Sequence, residues 1–291
     1  MIPSLARRSW IVLTLSLFLA ACSASTLEPA PTPAPPSESP TATLPPTPMA
    51  VLVNGEGIPV EEFEAELARY QAAHPQAGLD QATSAVIDYF VNELLLAQGA
   101  RAAGYSLSDE ALEARIASLE AQIGGAEALA AWQAAHGYTP ETFRQALRRQ
   151  IEAAWMRDQI AASVPATAEQ VHVQQILLYN EEDARAVLAQ LQAGADFYQL
   201  AAAYDPLTRG DLGWFPRGYL PEPAFEAAAF SLQPGQVSDI LQTEAGYHII
   251  MVVERDANHP LSSDALLSLQ YRAVDEWLAS QRQQSTIILA P

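Results

Sequence analysis

Val171-His172-Val173-Gln174-Gln175-Ile176-Leu177-Leu178 is the stretch on which the fold turns. Val171, Val173 and Leu177 alternate with His172, Gln174 and Ile176, and that period of two predicts a half-buried strand. Gln175 falls on the otherwise apolar face, where a polar side chain needs a hydrogen-bond partner or a functional reason. Downstream, Asn180 is placed to cap a helix running to Gly194, and a second short helix is predicted from Asp196 to Ala203. Gly210-Asp211-Leu212-Gly213-Trp214-Phe215 reads as a turn entering a strand, and Pro223 to Phe230 as another short helix. Val237 to Glu254 reads as two strands around Glu244-Ala245-Gly246. Strand, helix, helix, strand, helix, strand, strand is the order of a small α+β domain on an antiparallel sheet, and it fits residues 165–257.

Upstream, Val51-Leu52-Val53-Asn54-Gly55-Glu56-Gly57-Ile58 predicts two short strands around a tight Asn-Gly turn. Helical periodicity then runs to about residue 163. Phe63, Leu67 and Tyr70 mark one helix, and Ile87, Phe90, Val91, Leu94 and Leu95 a long stripe ending near Gly104. Leu112, Ile116, Leu119 and Ile123 mark a third, stopped by Gly124-Gly125. Thr139 is an N-cap with Pro140 at the first helical position, and Phe143, Ala146, Leu147, Ile151, Ala154 and Trp155 share one face beyond it. The acids and arginines of these helices read as solvated faces, and acid pairs such as Glu61-Glu62 and Glu181-Glu182 as helix-start charges favoured by the dipole. After the mixed domain, Leu266, Ala273, Val274 and Trp277 fall within about a third of a helical turn at 100° per residue. That face predicts a C-terminal helix, residues 258–291, packing back on a helical domain at 49–164, with the mixed domain inserted between them.

The chain has 291 residues, one cysteine and a formal charge of −19. That acidity argues against a nucleic-acid partner, which requires a basic surface. There is no lysine, which removes a Schiff-base lysine and a Walker-type phosphate lysine. The five histidines form no His-Glu-x-x-His motif, and no Gly-x-Ser-x-Gly elbow or glycine-rich phosphate loop occurs, so neither a metal nor a cofactor is expected. At the N-terminus, Arg7 and Arg8 precede a 12-residue apolar run from Trp10 to Ala21, too short for an ordinary spanning helix but suited to a secretory signal. Residues 22–48 hold nine of the 21 prolines, interleaved with Ser, Thr and Ala, a composition that predicts a solvated, semi-rigid tether.

Several of these pieces carry resemblances. Leu19-Ala20-Ala21-Cys22 resembles the lipobox of bacterial lipoprotein signals, which implies removal of residues 1–21 and acylation of Cys22, the anchor to a bacterial cell membrane. Residues 171–255 resemble the parvulin family of peptidyl-prolyl cis-trans isomerases through Val171 to Leu178, Gly194-Ala195-Asp196-Phe197, Gly210 to Phe215, Phe225-Glu226-Ala227-Ala228-Ala229-Phe230 and Gly246-Tyr247-His248-Ile249-Ile250. Val53-Asn54-Gly55-Glu56 with the acidic helix after it resembles the start of the PrsA/SurA group of extracytoplasmic foldases. The resemblance implies an isomerase of X-Pro bonds acting on unfolded or newly exported polypeptides, with chaperone-like binding by the helical domain.

By the same resemblance, Leu212, Leu220 and Phe225 build the proline-ring pocket, and Thr243 and His248 occupy the family's polar positions. Gln175 stands where the family usually has a first-strand histidine, and His172 cannot replace it, because an offset of three residues points to the other sheet face. The loop Tyr204-Asp205-Pro206-Leu207-Thr208-Arg209-Gly210 is shorter than in most active parvulins and offers Asp205 as its one candidate for the family's substrate-facing acid. Arg209 and Arg217 are isolated, which gives no preference for phosphorylated substrate. The alternative to an active isomerase is a parvulin-like binding module with weakened or lost catalysis. A lipoprotein for solute capture would need a second domain of alternating strands and helices, and the sequence shows none.

Overall fold

The computed structural model describes residues 48–290. The leader, Cys22 and the proline-rich segment up to residue 47 lie outside the described residues. The described chain opens with a hairpin of β1 (Met49–Val53) and β2 (Glu56–Pro59). Asn54 and Gly55 join them with φ of 53° and 87°, the left-handed pair that a two-residue turn needs to match strand twist.

Five helices follow: α1 (Val60–Ala73), α2 (Leu79–Ala102), α3 (Asp109–Ile123), α4 (Ala126–Ala135) and α5 (Pro140–Ala162). Local chemistry sets their ends. The Ser108 hydroxyl accepts from Ala111 N–H to start α3, and Gly124 in the left-handed region stops it. Thr139 and Thr142 cap α5 reciprocally, with Pro140 just inside. Helix α4 has no counterpart in the sequence reading, because its alanine-rich run carries little periodicity.

The mixed region holds β3 (Thr167–Leu178), α6 (Glu181–Gln192), α7 (Phe197–Tyr204), β4 (Asp211–Pro216), α8 (Pro223–Ser231), β5 (Leu241–Thr243) and β6 (Gly246–Pro260). Its strands form one antiparallel sheet in the order β4-β3-β6-β5. Both central strands run past the predicted limits, β3 starting at Thr167 and β6 reaching Pro260, where Thr167 and Pro260 pair. The two faces of the sheet have separate cores. Val171, Val173, Ile250 and Val252 pack with Phe215, Phe225 and Phe230 under α8. Ile176, Leu178, Ile249 and Met251 pack on the other face under α6 and α7. Alternation along β3 and β6 produces this division.

The chain then forms α9 (Ser263–Gln284) and β7 (Ile287–Leu289). Trp277 and Leu278 of α9 join the core of Val53, Ile58, Phe90, Leu94 and Ile160. Gly99 of α2 makes room for the Trp277 ring, since a Cβ there would stand 2.6 Å from it. Strand β7, also unforeseen, pairs with β1 to give a second sheet, β2-β1-β7. The Asn54 side-chain oxygen accepts from Thr286 N–H at 2.9 Å, and Asn54 N–H donates to the Thr286 carbonyl at 2.9 Å.

One expectation is corrected. The helix charges are not all solvated. Arg149 of α5 is buried between Glu62 of α1 and Glu93 of α2, bonding both carboxylates. Glu152 is also buried and pairs with Arg101, which reaches Glu56 as well. Burial, more than any other influence, raises the Glu62 and Glu93 carboxyls above their ordinary value. Two carboxylates share one guanidinium, so a buried charge is left incompletely balanced. Among the described residues, no helix is long and apolar enough to cross a membrane.

Candidate functional site

The candidate site lies on the α8 face of the sheet. Leu177 and His248 are directly opposite in the β3–β6 ladder, and Gln175 pairs with Ile250, so Gln175 and His248 are diagonal neighbours on one face. Gly210 fixes the backbone of Gln175: its carbonyl accepts from Gln175 N–H at 2.8 Å. Gly210 has φ +71°, and a Cβ there would overlap the Gln175 carbonyl, so only glycine fits.

Three polar side chains form a line. His248 Nδ1 is 2.8 Å from Gln175 Oε1, and His248 Nε2 is 2.8 Å from Thr243 Oγ1. Thr243 Oγ1 also accepts from Ala245 N–H at 3.1 Å. The proton therefore sits on Nδ1 and is donated to Gln175, while Nε2 accepts from the Thr243 hydroxyl. Burial pushes the His248 imidazole below its ordinary value, against a weaker upward pull from the Glu222 carboxylate, and so keeps the ring neutral. The Gln175 amide nitrogen has no partner among the described residues.

Phe225 stands against this line, its ring edge-to-face with His248 at 5.4 Å between centroids. Phe225 is 5 % exposed, and Leu220 packs against the same cluster. Leu212 is 38 % exposed and does not belong to that cluster, so the structure joins two of the three predicted pocket residues and leaves the third on the rim of β4. Asp205 turns into its own loop, where it accepts from Leu207 N–H and Thr208 N–H, both at 3.1 Å, and bonds the Thr208 hydroxyl. The Thr208 hydroxyl bond, foremost, holds the Asp205 carboxyl below its ordinary value. Its loop borders a cleft of about 270 Å³ that Gln175 and Leu177 also line. His172 takes no part: it bonds Asp211 Oδ1 at 2.7 Å and stacks on Trp214.

Glu226 is a positioning residue that the sequence reading passed over. Its carboxylate accepts from Gly218 N–H at 2.7 Å and Tyr219 N–H at 3.2 Å, gathering the loop that carries Leu220. The available signal was an acid in the first turn of a helix just after a glycine-containing loop.

Comparison with known proteins matches residues 168–254 to the PPIC-type PPIase domain and residues 37–157 to the SurA-like N-terminal domain. The foldase protein PrsA of Halalkalibacterium halodurans is 38% identical over 127 residues, which cover 40% of this chain and 38% of that protein. The chaperone SurA of Methylococcus capsulatus is 34% identical over 144 residues, covering 42% of this chain and 32% of that one. The periplasmic chaperone PpiD of Haemophilus influenzae is 42% identical over 91 residues, covering 30% and 14%. The chain spans about a third of the length of the PrsA relatives it matches. With a PPIC-type PPIase domain preceded by a SurA-like N-terminal domain, the chain is similar in its parts to the parvulin-type foldases of the PrsA/SurA group.

Proposed function

We propose that this chain is an extracytoplasmic foldase that catalyses cis-trans isomerisation of X-Pro bonds in exported polypeptides and holds unfolded segments against its helical body. The observation that carries the reading is the Thr243–His248–Gln175 line set against Phe225. An X-Pro bond needs no nucleophile. Its two forms differ by about 0.5–1 kcal/mol in peptides, and the barrier of roughly 18–20 kcal/mol is the loss of amide resonance on twisting. A catalyst must therefore bind the twisted amide better than either planar form.

Leu220 and Phe225 give the proline ring an apolar seat, and Leu212 stays outside it, exposed on β4. His248, held neutral and bonded at both nitrogens, fixes the orientation of Gln175. With its oxygen taken by His248, the Gln175 amide nitrogen is free to donate to the carbonyl that swings past it. A donor needs no positive charge for this, so glutamine can serve in place of histidine. Asp205, committed to its loop, acts on the substrate through its charge and not as an acid or base.

The anchor belongs to the same proposal: residues 1–21 form a signal, Cys22 carries lipid, and residues 22–48 hold the folded body off the membrane. The periplasmic setting named for the PpiD relative supports this location. The domain limits proposed from the sequence are 49–164 with 258–291 for the helical body and 165–257 for the isomerase; the shared core of α2, α5 and α9 supports a helical body drawn from both flanks, while β6 runs on to Pro260, past the 257 limit. A protease-coupled assay on a proline-containing tetrapeptide tests the catalytic reading: acceleration at micromolar protein supports it. The second reading, a chaperone without catalysis, is favoured by Asp205 turning into its loop. It predicts suppression of client aggregation with no acceleration. Labelling with palmitate in a bacterial host, lost in Cys22→Ala, tests the anchor.

A further inference from the structure

The loop of residues 217–222, which carries Leu220, is held from three directions. From within, the Glu226 carboxylate accepts from the amides of Gly218, Tyr219 and Leu220. From β3, Glu169 Oε2 accepts from Arg217 Nε at 3.2 Å, and the Arg217 guanidinium lies 4.1 Å from the centre of the Phe230 ring, in the core cluster that includes Phe225. From outside the sheet domain, Arg272 of α9 lies against Gly218. Its guanidinium fills the space that a Cβ at Gly218 would need, and Gly218 has φ +79°, so both space and backbone conformation call for glycine there.

We infer that Arg272 is a positioning residue for the isomerase, through which the helical body holds this loop and keeps Leu220 at the seat beside Phe225. The inference rests on the isomerase reading above and names what steadies that site. Arg272 can do this because the body fixes its own place. Trp277 and Leu278, further along α9, pack with the core of Phe90, Leu94 and Ile160. Gln270 Nε2 donates to the Ala161 carbonyl of α5 at 3.3 Å, and Arg282 bonds Asp88 and Asn92 of α2. Glu276, one turn beyond Arg272, accepts from its Nε at 2.7 Å and fixes the direction of the guanidinium. A guanidinium is planar and weakly hydrated, so it packs against bare backbone where an ammonium would keep its water. Arg272 acts through Gly218 on a loop that lines the seat, so it governs how tightly proline is held and not how its bond is twisted.

The test measures KM and kcat separately for a proline-containing tetrapeptide in the protease-coupled assay. Arg272→Ala should raise KM about fivefold and change kcat by less than about twofold, since a loosened seat weakens ground state and transition state alike. Its urea midpoint should stay that of the parent chain, because the Arg272 side chain is 51 % exposed. Gly218→Ala puts a methyl where the guanidinium lies and should raise KM at least as much. The double variant should be no worse than Gly218→Ala alone, as each change breaks the same contact. An unchanged KM in Arg272→Ala, a midpoint lowered in step with the loss, or additive losses in the pair overturns the inference and leaves the isomerase reading standing. If the parent chain itself accelerates nothing, the isomerase reading falls, and amide hydrogen exchange decides the positioning role. Exchange at Gly218, Tyr219 and Leu220 at least about threefold faster in Arg272→Ala, with β3 and β6 unchanged, supports it, and equal exchange at those three amides overturns it.

Discussion

Gln175 and His248, 73 residues apart in the chain, meet at 2.8 Å across the diagonal of the β3–β6 ladder. A double-mutant cycle measures what this contact does. Gln175→Leu leaves the His248 Nδ1 proton without its acceptor, and His248→Ala leaves the Gln175 amide unoriented. Each is expected to lower kcat/KM about tenfold or more, and the double variant to lose little beyond the worse single one. Fully additive losses would show that the two side chains work separately.

The neutral state of His248 predicts a pH profile. Its folded pKa lies below the unfolded 6.5 because burial disfavours the imidazolium. The stability it contributes is therefore present above pH 6.5 and is lost as pH falls through the lower folded value. Activity should follow, flat near neutrality with an acid limb below 6.5. Gln175→Glu would place a carboxylate on Nδ1 and move that limb to higher pH. An unmoved limb would assign it to another group.

Phe225→Ala tests the proline seat. The ring is nearly fully buried between Phe230, Ile250 and His248, so truncation should cost the sheet domain about 3–5 kcal/mol. Isomerase activity should vanish while the far-ultraviolet circular dichroism of the helical body is largely kept. To separate lost chemistry from lost folding, Phe225→Leu preserves apolar volume and should retain measurable activity with a raised KM. Full activity in Phe225→Ala would remove proline from this position.

The buried Glu62–Arg149–Glu93 group predicts an unusual stability curve. Both carboxyls have folded values raised above the ordinary 4.5, so their contribution is greatest below 4.5 and declines as pH rises through the folded values. Chemical denaturation followed at 222 nm should show that decline. Glu93→Gln should flatten it while keeping the Arg149–Glu62 pair. Arg149→Ala, which strands two buried acids, should destabilise by about 3–5 kcal/mol at neutral pH and less in acid.

The sheet domain was legible because alternation, turn glycines and caps all acted locally. Asn54-Gly55, Thr139-Pro140 and Asn180 do in the structure what their chemistry dictates in isolation. Gln175 and His248 could be placed on one face by counting alternate residues along each strand. What escaped was set by distant partners. Arg149 reads as one more surface charge until Glu62 and Glu93 arrive from other helices to enclose it. Ile287-Ile288-Leu289 is too short to signal a strand without β1 beside it. Leu212 shares its motif with the site but sits on a rim strand, where sequence cannot distinguish a pocket wall from an exposed edge.

The pairing of β7 with β1 has a consequence for how the molecule comes into being. A polypeptide made from its N-terminus can set the β1–β2 hairpin on α2 early, but β1 meets its second neighbour only when residues 287–289 emerge, more than 200 positions later. The sheet domain, whose elements are contiguous in the chain, can be completed while the helical body that flanks it still waits for closure.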